Sequence, residues 1–207
     1  MNPNVRWCLL FNSIWGTAVG TWCSHVLAVY LLQLEHGSNT AVGLAEGLQG
    51  LVRAIVALPA GAYADKFGRA RTLRIGSFAT ILSLGVVAWA LMFASSHLHE
   101  FIALCVGLSV FGGASGVISP PLEAIFADSV STGNRSFLYT LKYVAGVFSR
   151  GSLGPLVTIF LFLWFGNQWS PREMKAVMLC GVGLTAFPAA MLCFFDDGKS
   201  MGEESEA

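Results

Sequence analysis

Charged side chains are scarce in this chain. Only 12% of its 207 residues are charged, whereas 55% are hydrophobic and the mean hydropathy is +0.65. Soluble domains contain about 25% charged residues, and a soluble chain as apolar as this one could not cover its own surface. The shortage of charge therefore excludes an ordinary soluble domain.

Other absences exclude further classes of protein. Lys and Arg (12) only balance Asp and Glu (12), so the chain lacks the basic surface typical of nucleic-acid binding. The sequence contains no metal-ligand triad, no nucleophile paired with a base and no phosphate-binding loop, so we predict no enzyme, no cofactor and no metal site. Its scattered cysteines fit no disulfide framework, and we interpret them as apolar fillers. They are Cys8, Cys23, Cys105, Cys180 and Cys193.

The chain does contain six long apolar blocks. A block of 18 or more apolar residues predicts a helix that crosses the bilayer, because about 20 residues span the hydrocarbon. A barrel would need short alternating segments, and none is present. The predicted spans, numbered 1 to 6, are residues 7–34, 41–64, 72–94, 101–127, 137–165 and 174–195. We therefore predict an all-α membrane protein with a six-helix bundle over 1–195 and a disordered acidic tail over 196–207.

The distribution of Lys and Arg between the short loops predicts the orientation. One side of the membrane would carry Arg6, Lys66, Arg69, Arg71, Arg74, Arg135 and Lys199, and the other only Arg172 and Lys175. The first side is then cytoplasmic, with both termini inside. The sequon Asn134-Arg135-Ser136 would also lie in the cytoplasm, so a glycan on Asn134 would contradict this orientation.

Small residues and arginines recur at comparable places in the two halves of the chain. They are Gly16 and Gly20 in span 1, Gly112, Gly113 and Gly116 in span 4, Arg53 in span 2 and Arg150 in span 5. Three spans followed by three comparable spans must be inverted in topology, because three is odd. The pattern predicts a 3+3 inverted repeat, and the alternative is chance among residues that are common in membrane helices.

The most specific stretch is the loop after span 2, residues 61–71, which reads Gly-Ala-Tyr-Ala-Asp-Lys-Phe-Gly-Arg-Ala-Arg. Gly61 lets another helix approach closely, and Gly68 permits a positive φ in a tight turn. Asp65 ends a span beside several cations, so we expect it to be ionised and hydrogen-bonded. Its carboxylate can also meet the positive N-terminal end of a neighbouring helix.

This loop, called the signature loop below, resembles the motif G-x-x-x-D-[RK]-x-G-[RK]-x-[RK] of the major facilitator superfamily. The matching positions are Gly61, Asp65, Lys66, Gly68, Arg69 and Arg71. The resemblance implies a twelve-span fold of which this chain is the N-terminal six-helix half. It also implies that the loop is a gate, which holds the two halves together in one conformation and touches no substrate.

Two weaker resemblances lie further along the chain. Glu123 to Asp128, followed by Arg135, resembles the exit of the family's fourth span and adds Asp128 and Arg135 to the gate residues. Residues 151–155 partly resemble the glycine-proline motif of proton antiporters. The first glycine is one residue too close, and Thr158 stands where a glycine is usual.

Polar side chains at mid-membrane depth normally face the bundle interior or a wet cavity, because exposing them to lipid is costly. Spans 1, 2, 4 and 5 carry such residues, and spans 3 and 6 carry almost none. The candidates for a substrate cavity are Asn12, Trp22, His25, Glu46, Arg53, Ser119, Glu123, Tyr139, Lys142, Tyr143 and Arg150. This division resembles the family, in which spans 1, 2, 4 and 5 line the cavity or the seam between the halves.

Two interpretations of the central arginines stay open. Arg53 and Arg150 either bind an anionic solute or pair with Glu46, Glu123 or a carbonyl of the other half. The deep cations outnumber the deep acids, which slightly favours an anion.

Three other candidates have a functional and a structural interpretation. Glu123 is either a proton carrier or the partner of Lys142 or Arg135. His25 is either a packed residue or a proton relay, and Trp22 is either a packed residue or a platform that stacks on a ligand.

These patterns and the resemblance predict a secondary transporter that moves a small solute by alternating access. Its partners would be the bilayer, the solute, a C-terminal half and, where transport is coupled, a proton or other ion. The alternative is a non-transporting six-span protein that associates with itself or with a full-length relative. Six further spans in frame after residue 207 would favour the transporter, and a stop codon there together with a dimer in detergent would favour the alternative.

Overall fold

The computed structural model describes residues 2–131, 133 and 135–199 and consists of helices joined by short turns over that range. Six helices are long and apolar enough to cross a membrane: Pro3–Leu34, Asn39–Phe67, Arg69–Phe93, His97–Asp128, Arg135–Phe165 and Pro171–Phe194. They confirm the six predicted spans. The largest differences are four residues, at the starts of span 1 (7 against Pro3) and span 4 (101 against His97).

Most spans begin at a residue that caps the helix. Ser38, Ser96 and Ser170 each accept a hydrogen bond from the backbone amide three residues later. Pro3 and Pro171 occupy first helical positions, where the missing amide hydrogen costs nothing. The polar breaks seen in the sequence therefore end and restart helices by ordinary capping, which is worth about 1 kcal/mol per cap.

Two spans are irregular near mid-depth. Span 1 consists of Pro3–Trp22 and His25–Leu34, with a break at Cys23 and Ser24. Span 5 consists of Arg135–Phe148, a π-helical turn Ser149–Leu153, and Gly154–Phe165. The apolar pattern of the sequence reveals neither irregularity, because hydrophobicity does not record which backbone groups lack a partner.

The two irregular segments lie against each other and supply each other's hydrogen bonds. The Thr158 hydroxyl donates to the Thr21 carbonyl (2.9 Å), and the Thr21 hydroxyl donates to the Gly154 carbonyl (3.4 Å). A Cβ on Gly154 would lie 2.7 Å from Gly20, so glycine is required at this contact. Thr158, which departs from the antiporter motif, here satisfies a carbonyl beside the break in span 1.

Span packing follows a regular order. Span 1 packs on spans 5 and 6, span 4 packs on spans 2 and 3, and spans 3 and 6 pack on each other. A 3+3 repeat that matches spans 1, 2 and 3 with spans 4, 5 and 6 would give these neighbours, and the repeat stays a prediction. Spans 2 and 5 lie at the edges of the bundle. In the most apolar 18-residue stretch of each span, 6% of the residues of span 2 and 22% of those of span 5 are buried, against 44% to 61% in the other spans.

Two predictions fall on residues outside the described range. Asn134 of the sequon is one, so the orientation stays a prediction. Residues 200–207 of the acidic tail are the other, so the tail's disorder and its boundary stay predictions. The described start of the tail forms a 3-10 turn, Asp197–Lys199.

Candidate functional site

The signature loop connects spans 2 and 3 by a single non-helical residue. Gly68 has φ +101°, as the sequence predicts. The Arg69 guanidinium forms a close ion pair with Asp128 at the end of span 4. This pair joins two predicted gate residues and ties the loop to the bundle.

The predicted role of Asp65 differs from what the structure shows. Its side chain is 74% exposed, and its nearest charged contact is the Arg69 Nε at 4.0 Å. Among the described residues, the carboxylate that meets a helix N-terminus is that of Asp197, which accepts from the Ala70 amide at 3.0 and 3.1 Å. Asp65 is therefore an exposed carboxylate beside Arg69, and the helix end at Ala70 is capped by Asp197.

The remaining gate residues make few contacts within the described part of the chain. Lys66 lies over the Phe67 ring at 5.3 Å and is exposed. Arg71 and Arg135 are also exposed. A Cβ on Gly61 would meet Pro120 at an ordinary 3.6 Å, so nothing within this bundle requires glycine there.

A cavity of about 320 Å³ opens among spans 1, 2, 4 and 5 in the half of the bundle nearer the signature loop. We call that half the signature side and the opposite half the far side. The predicted candidates that line this signature-side cavity are Asn12, Arg53, Ser119, Glu123, Tyr143 and Arg150. Phe11, Trp15 and Ser115 also contribute to its aromatic and polar wall.

A second cavity, of about 440 Å³, lies among spans 1, 2 and 5 on the far side. The predicted candidates that line it are His25, Glu46, Arg53 and Arg150. Gln49, which the sequence analysis did not select, also lines it. Gln49 lies one helical turn before Arg53, so the same helical spacing could have identified it.

Arg53 and Arg150 line both cavities. Arg53 is the central residue of Asn39–Phe67, with fourteen residues on either side. Arg150 is the central residue of Arg135–Phe165, with fifteen on either side. The two arginines therefore lie at mid-depth, where the cavities meet.

Matching glycines hold the two arginine-bearing helices close to their neighbours. A Cβ on Gly20 of span 1 would lie 2.5 Å from the Arg150 carbonyl oxygen. A Cβ on Gly116 of span 4 would lie 2.6 Å from the Arg53 carbonyl oxygen. Each glycine thus permits a backbone contact that any other residue would prevent.

The partners of the deep charges differ. Lys142 is buried, and its Nζ lies 2.6 Å from Glu123 and 4.5 Å from the centre of the Phe126 ring. Because the angles do not suit a hydrogen bond, we describe the contact with Glu123 as an ion pair. Of the two partners considered for Glu123, the structure has Lys142 and not Arg135.

The arginines have no carboxylate partner in the described part of the chain. Arg53 donates to the Ser119 hydroxyl at 3.2 Å. Neither guanidinium has an oxygen of Glu46 or Glu123 within 4.0 Å. The pairing with those acids, which the sequence left open, is therefore absent from this structure.

Trp22 and Tyr139 lie outside both cavities. Trp22 is fully buried, donates to the Thr185 hydroxyl at 3.0 Å and packs on Gly181 of span 6. The interpretation of Trp22 as a ligand platform is wrong for this structure, because spans 1, 4 and 6 enclose the ring. Tyr139 packs edge-on against Phe126.

Sequence reasoning missed a buried polar cluster at the far end of the bundle. Glu100 is 5% exposed, accepts a hydrogen bond from the Tyr30 hydroxyl and lies 2.7 Å from the Lys175 Nζ. These residues join the ends of spans 1, 4 and 6. No sequence signal identifies the cluster, because its members are at least 70 residues apart.

Comparison with known proteins gives one family and several relatives. The model of the Major Facilitator Superfamily matches residues 10–207. An uncharacterized MFS-type transporter of Bacillus subtilis is 23% identical over 170 residues, which are 80% of this chain and 37% of the relative. A triacylglyceride transporter of Mycobacterium tuberculosis is 32% identical over 142 residues, 68% of this chain and 25% of the relative. An uncharacterized transporter of Buchnera aphidicola is 27% identical over 177 residues, 82% and 39% respectively.

The chain thus spans between a quarter and two fifths of the length of these relatives. Each of these relatives is named a transporter.

Proposed function

The chain belongs to the major facilitator superfamily, and we propose that it forms the N-terminal half of a secondary transporter that moves a small solute by alternating access. It is an integral multi-pass membrane protein. In the proposed orientation the signature side is cytoplasmic and both termini lie inside.

The observation that carries the proposal is the pair of cavities that share Arg53 and Arg150. Alternating access requires a central site that is reached from one side and then from the other. In this proposal the signature-side cavity and the far-side cavity are one path each, and Arg53 and Arg150, which line both, form the central site. A purely structural bundle would have no need of polar cavities at mid-depth.

The gate in this proposal is the signature loop. The ion pair between Arg69 and Asp128 anchors this loop to span 4, while the exposed Asp65 is left to contact the other half. Opening of the signature side would then change the contacts of Asp65 and leave the internal pair in place.

The proposed partner is a C-terminal half that packs on spans 2 and 5. These two spans are the least buried of the six, and they carry the arginines. The lengths of the relatives favour this occupant over the alternative, a second copy of the chain in a non-transporting assembly.

Energy would come from the solute's own gradient or from a coupled proton or other ion. Glu123 is a weaker candidate for proton carrier than its sequence position suggests, because its carboxylate pairs with a buried lysine. A triacylglyceride, the substrate in the name of one relative, is uncharged and suits the two guanidiniums poorly, so it enters the screen below as the second candidate.

The test is side-specific cysteine labelling of the protein expressed from the full coding sequence and reconstituted in proteoliposomes. It follows a screen of metabolites and lipids for transport. In a background without the five free cysteines, His25→Cys reports the far-side cavity and Ser119→Cys the signature-side cavity. We expect a membrane-impermeant maleimide to reach the two positions from opposite sides, and a transported solute to shift the two rates in opposite directions. The unsubstituted cysteine-free protein is the control. Labelling of both positions from one side only, with no response to any solute, would refute the proposal.

A further inference from the structure

We propose that Arg53 and Arg150 together bind an acidic group, a carboxylate or a phosphate, of the transported solute. This inference rests on the transport function proposed above and adds the chemical class of the substrate. Its basis is the positive charge of Arg53 and Arg150, with which neither Glu46 nor Glu123 forms an ion pair.

Among the described residues, neither guanidinium in the signature-side cavity has a carboxylate partner. Its one acid, Glu123, lies 2.6 Å from Lys142, whose buried ammonium takes up the negative charge. What remains in the wall of this cavity is the positive charge of Arg53 and Arg150.

The far-side cavity has one acid against the same two arginines. Glu46 lies two helical turns before Arg53, roughly 10 Å away along the axis, and within the described range it forms no ion pair with either guanidinium. One carboxylate does not balance the two arginines that both cavities share, so the described wall of this cavity is also net positive.

The donors needed to hold an anion are present. Each guanidinium has five N–H donors in a planar fork that matches a carboxylate or phosphate. Arg53 uses one nitrogen, Nη2, for Ser119 at 3.2 Å, and no other hydrogen bond or ion pair with a described residue occupies its remaining donors. That hydrogen bond also fixes the direction of the side chain toward the cavity that Ser119 lines.

The backbones of both arginines are held in place by close helix contacts. Gly20 approaches the Arg150 carbonyl and Gly116 approaches the Arg53 carbonyl, as described above. Residues held by packing lose less freedom when a ligand binds. Both side chains are exposed on the surface of this bundle, at mid-span positions where charge facing lipid is costly, so the occupant that suits the site carries negative charge.

Binding can be measured without transport. The full chain would be purified into nanodiscs of neutral phosphatidylcholine and titrated calorimetrically, at constant ionic strength, with inorganic phosphate, succinate, glycerol and putrescine. We expect phosphate or succinate to bind and the neutral and cationic compounds not to bind. A second set of discs containing phosphatidylglycerol tests whether the acidic group belongs to a lipid, in which case the anionic lipid raises Tm and competes with the soluble anion.

Variants separate the arginine site from general charge. Arg53→Gln and Arg150→Gln should each weaken anion binding, or the lipid effect, at least tenfold, because each removes charge-assisted hydrogen bonds. Arg53→Lys should weaken it less, and it serves as the folded variant if a Gln substitution prevents folding. Arg74→Gln is the matched control, since Arg74 is exposed and lines neither cavity. The anion affinity of this variant should equal that of the wild-type protein.

Anion binding that depends on both arginines, from solution or from lipid, would support the inference. No binding in either set of discs, equal binding of putrescine, or binding that both Gln variants retain would overturn it. The proposed transport function fails separately: wild-type protein that binds the anion but moves no solute would refute transport and keep the site. Gln variants whose transport and anion binding are both unchanged would refute the arginine site and leave the transport function standing.

Discussion

The carboxylate of Asp197, just beyond span 6, accepts a hydrogen bond from the backbone amide of Ala70 at the start of span 3. Both carboxylate oxygens take part, at 3.0 and 3.1 Å. Span 3 has no other side-chain cap, because Gly68 precedes it. The start of the tail is thereby bound to the signature loop.

Replacing Asp197 should therefore lower stability. Asp197→Ala removes the cap and should cost about 1 kcal/mol, seen as a lower Tm in detergent. Asp197→Asn keeps an acceptor but loses the charge that favours a helix N-terminus, so its Tm should lie between the two. Equal Tm values for all three proteins would contradict the capping role.

The ion pair of Arg69 and Asp128 should matter more for transport than for stability. Both side chains are partly exposed, 27% and 43%, so each single alanine variant should cost only about 0.2–1 kcal/mol of unfolding free energy. Uptake of the solute found by the screen should fall several-fold, because the loop would no longer be held against span 4. The exchange Arg69→Asp with Asp128→Arg should restore part of the rate, and failure to restore any would argue against this pair as the anchor of the gate.

Glycine substitutions should separate close contacts from open surface. Gly116→Ala places a Cβ 2.6 Å from the Arg53 carbonyl oxygen, whereas a Cβ on Gly85 meets nothing within 4 Å. We expect Gly116→Ala to lose about 1–3 kcal/mol through overpacking and Gly85→Ala to lose nothing, in equilibrium unfolding with sodium dodecyl sulfate. Equal effects would mean that spans 2 and 4 separate more easily than their contact suggests.

The buried cluster at the far end should contribute to stability and not to solute binding. Glu100→Gln leaves Lys175 without its partner at 2.7 Å. We expect a loss of about 2 kcal/mol, less than the roughly 3–5 kcal/mol of a fully buried pair, because Lys175 is 30% exposed. Adding Lys175→Met should recover part of the loss. A changed solute affinity with unchanged Tm would show instead that the cluster acts on the cavity.

Several features could be predicted from the sequence because they depend on local composition or local geometry. Long apolar blocks must cross a bilayer as helices, so the six spans follow from hydropathy. A tight turn between two helices needs a residue that tolerates positive φ, so Gly68 follows from the signature loop. Arg53 and Arg150 could be selected as deep polar residues, because mid-span position is a property of the sequence alone.

The tertiary structure decided which of these residues meet. It paired Lys142 with Glu123 and, within the described residues, left Arg53 and Arg150 without an acid. It also enclosed Trp22 between spans while leaving a cavity beside Trp15. It also placed the break in span 1 against the π-helical turn of span 5. Such contacts depend on the rotation and depth of each helix against its neighbours. Packing across distant spans sets both, and hydrophobic periodicity along a single span does not contain them.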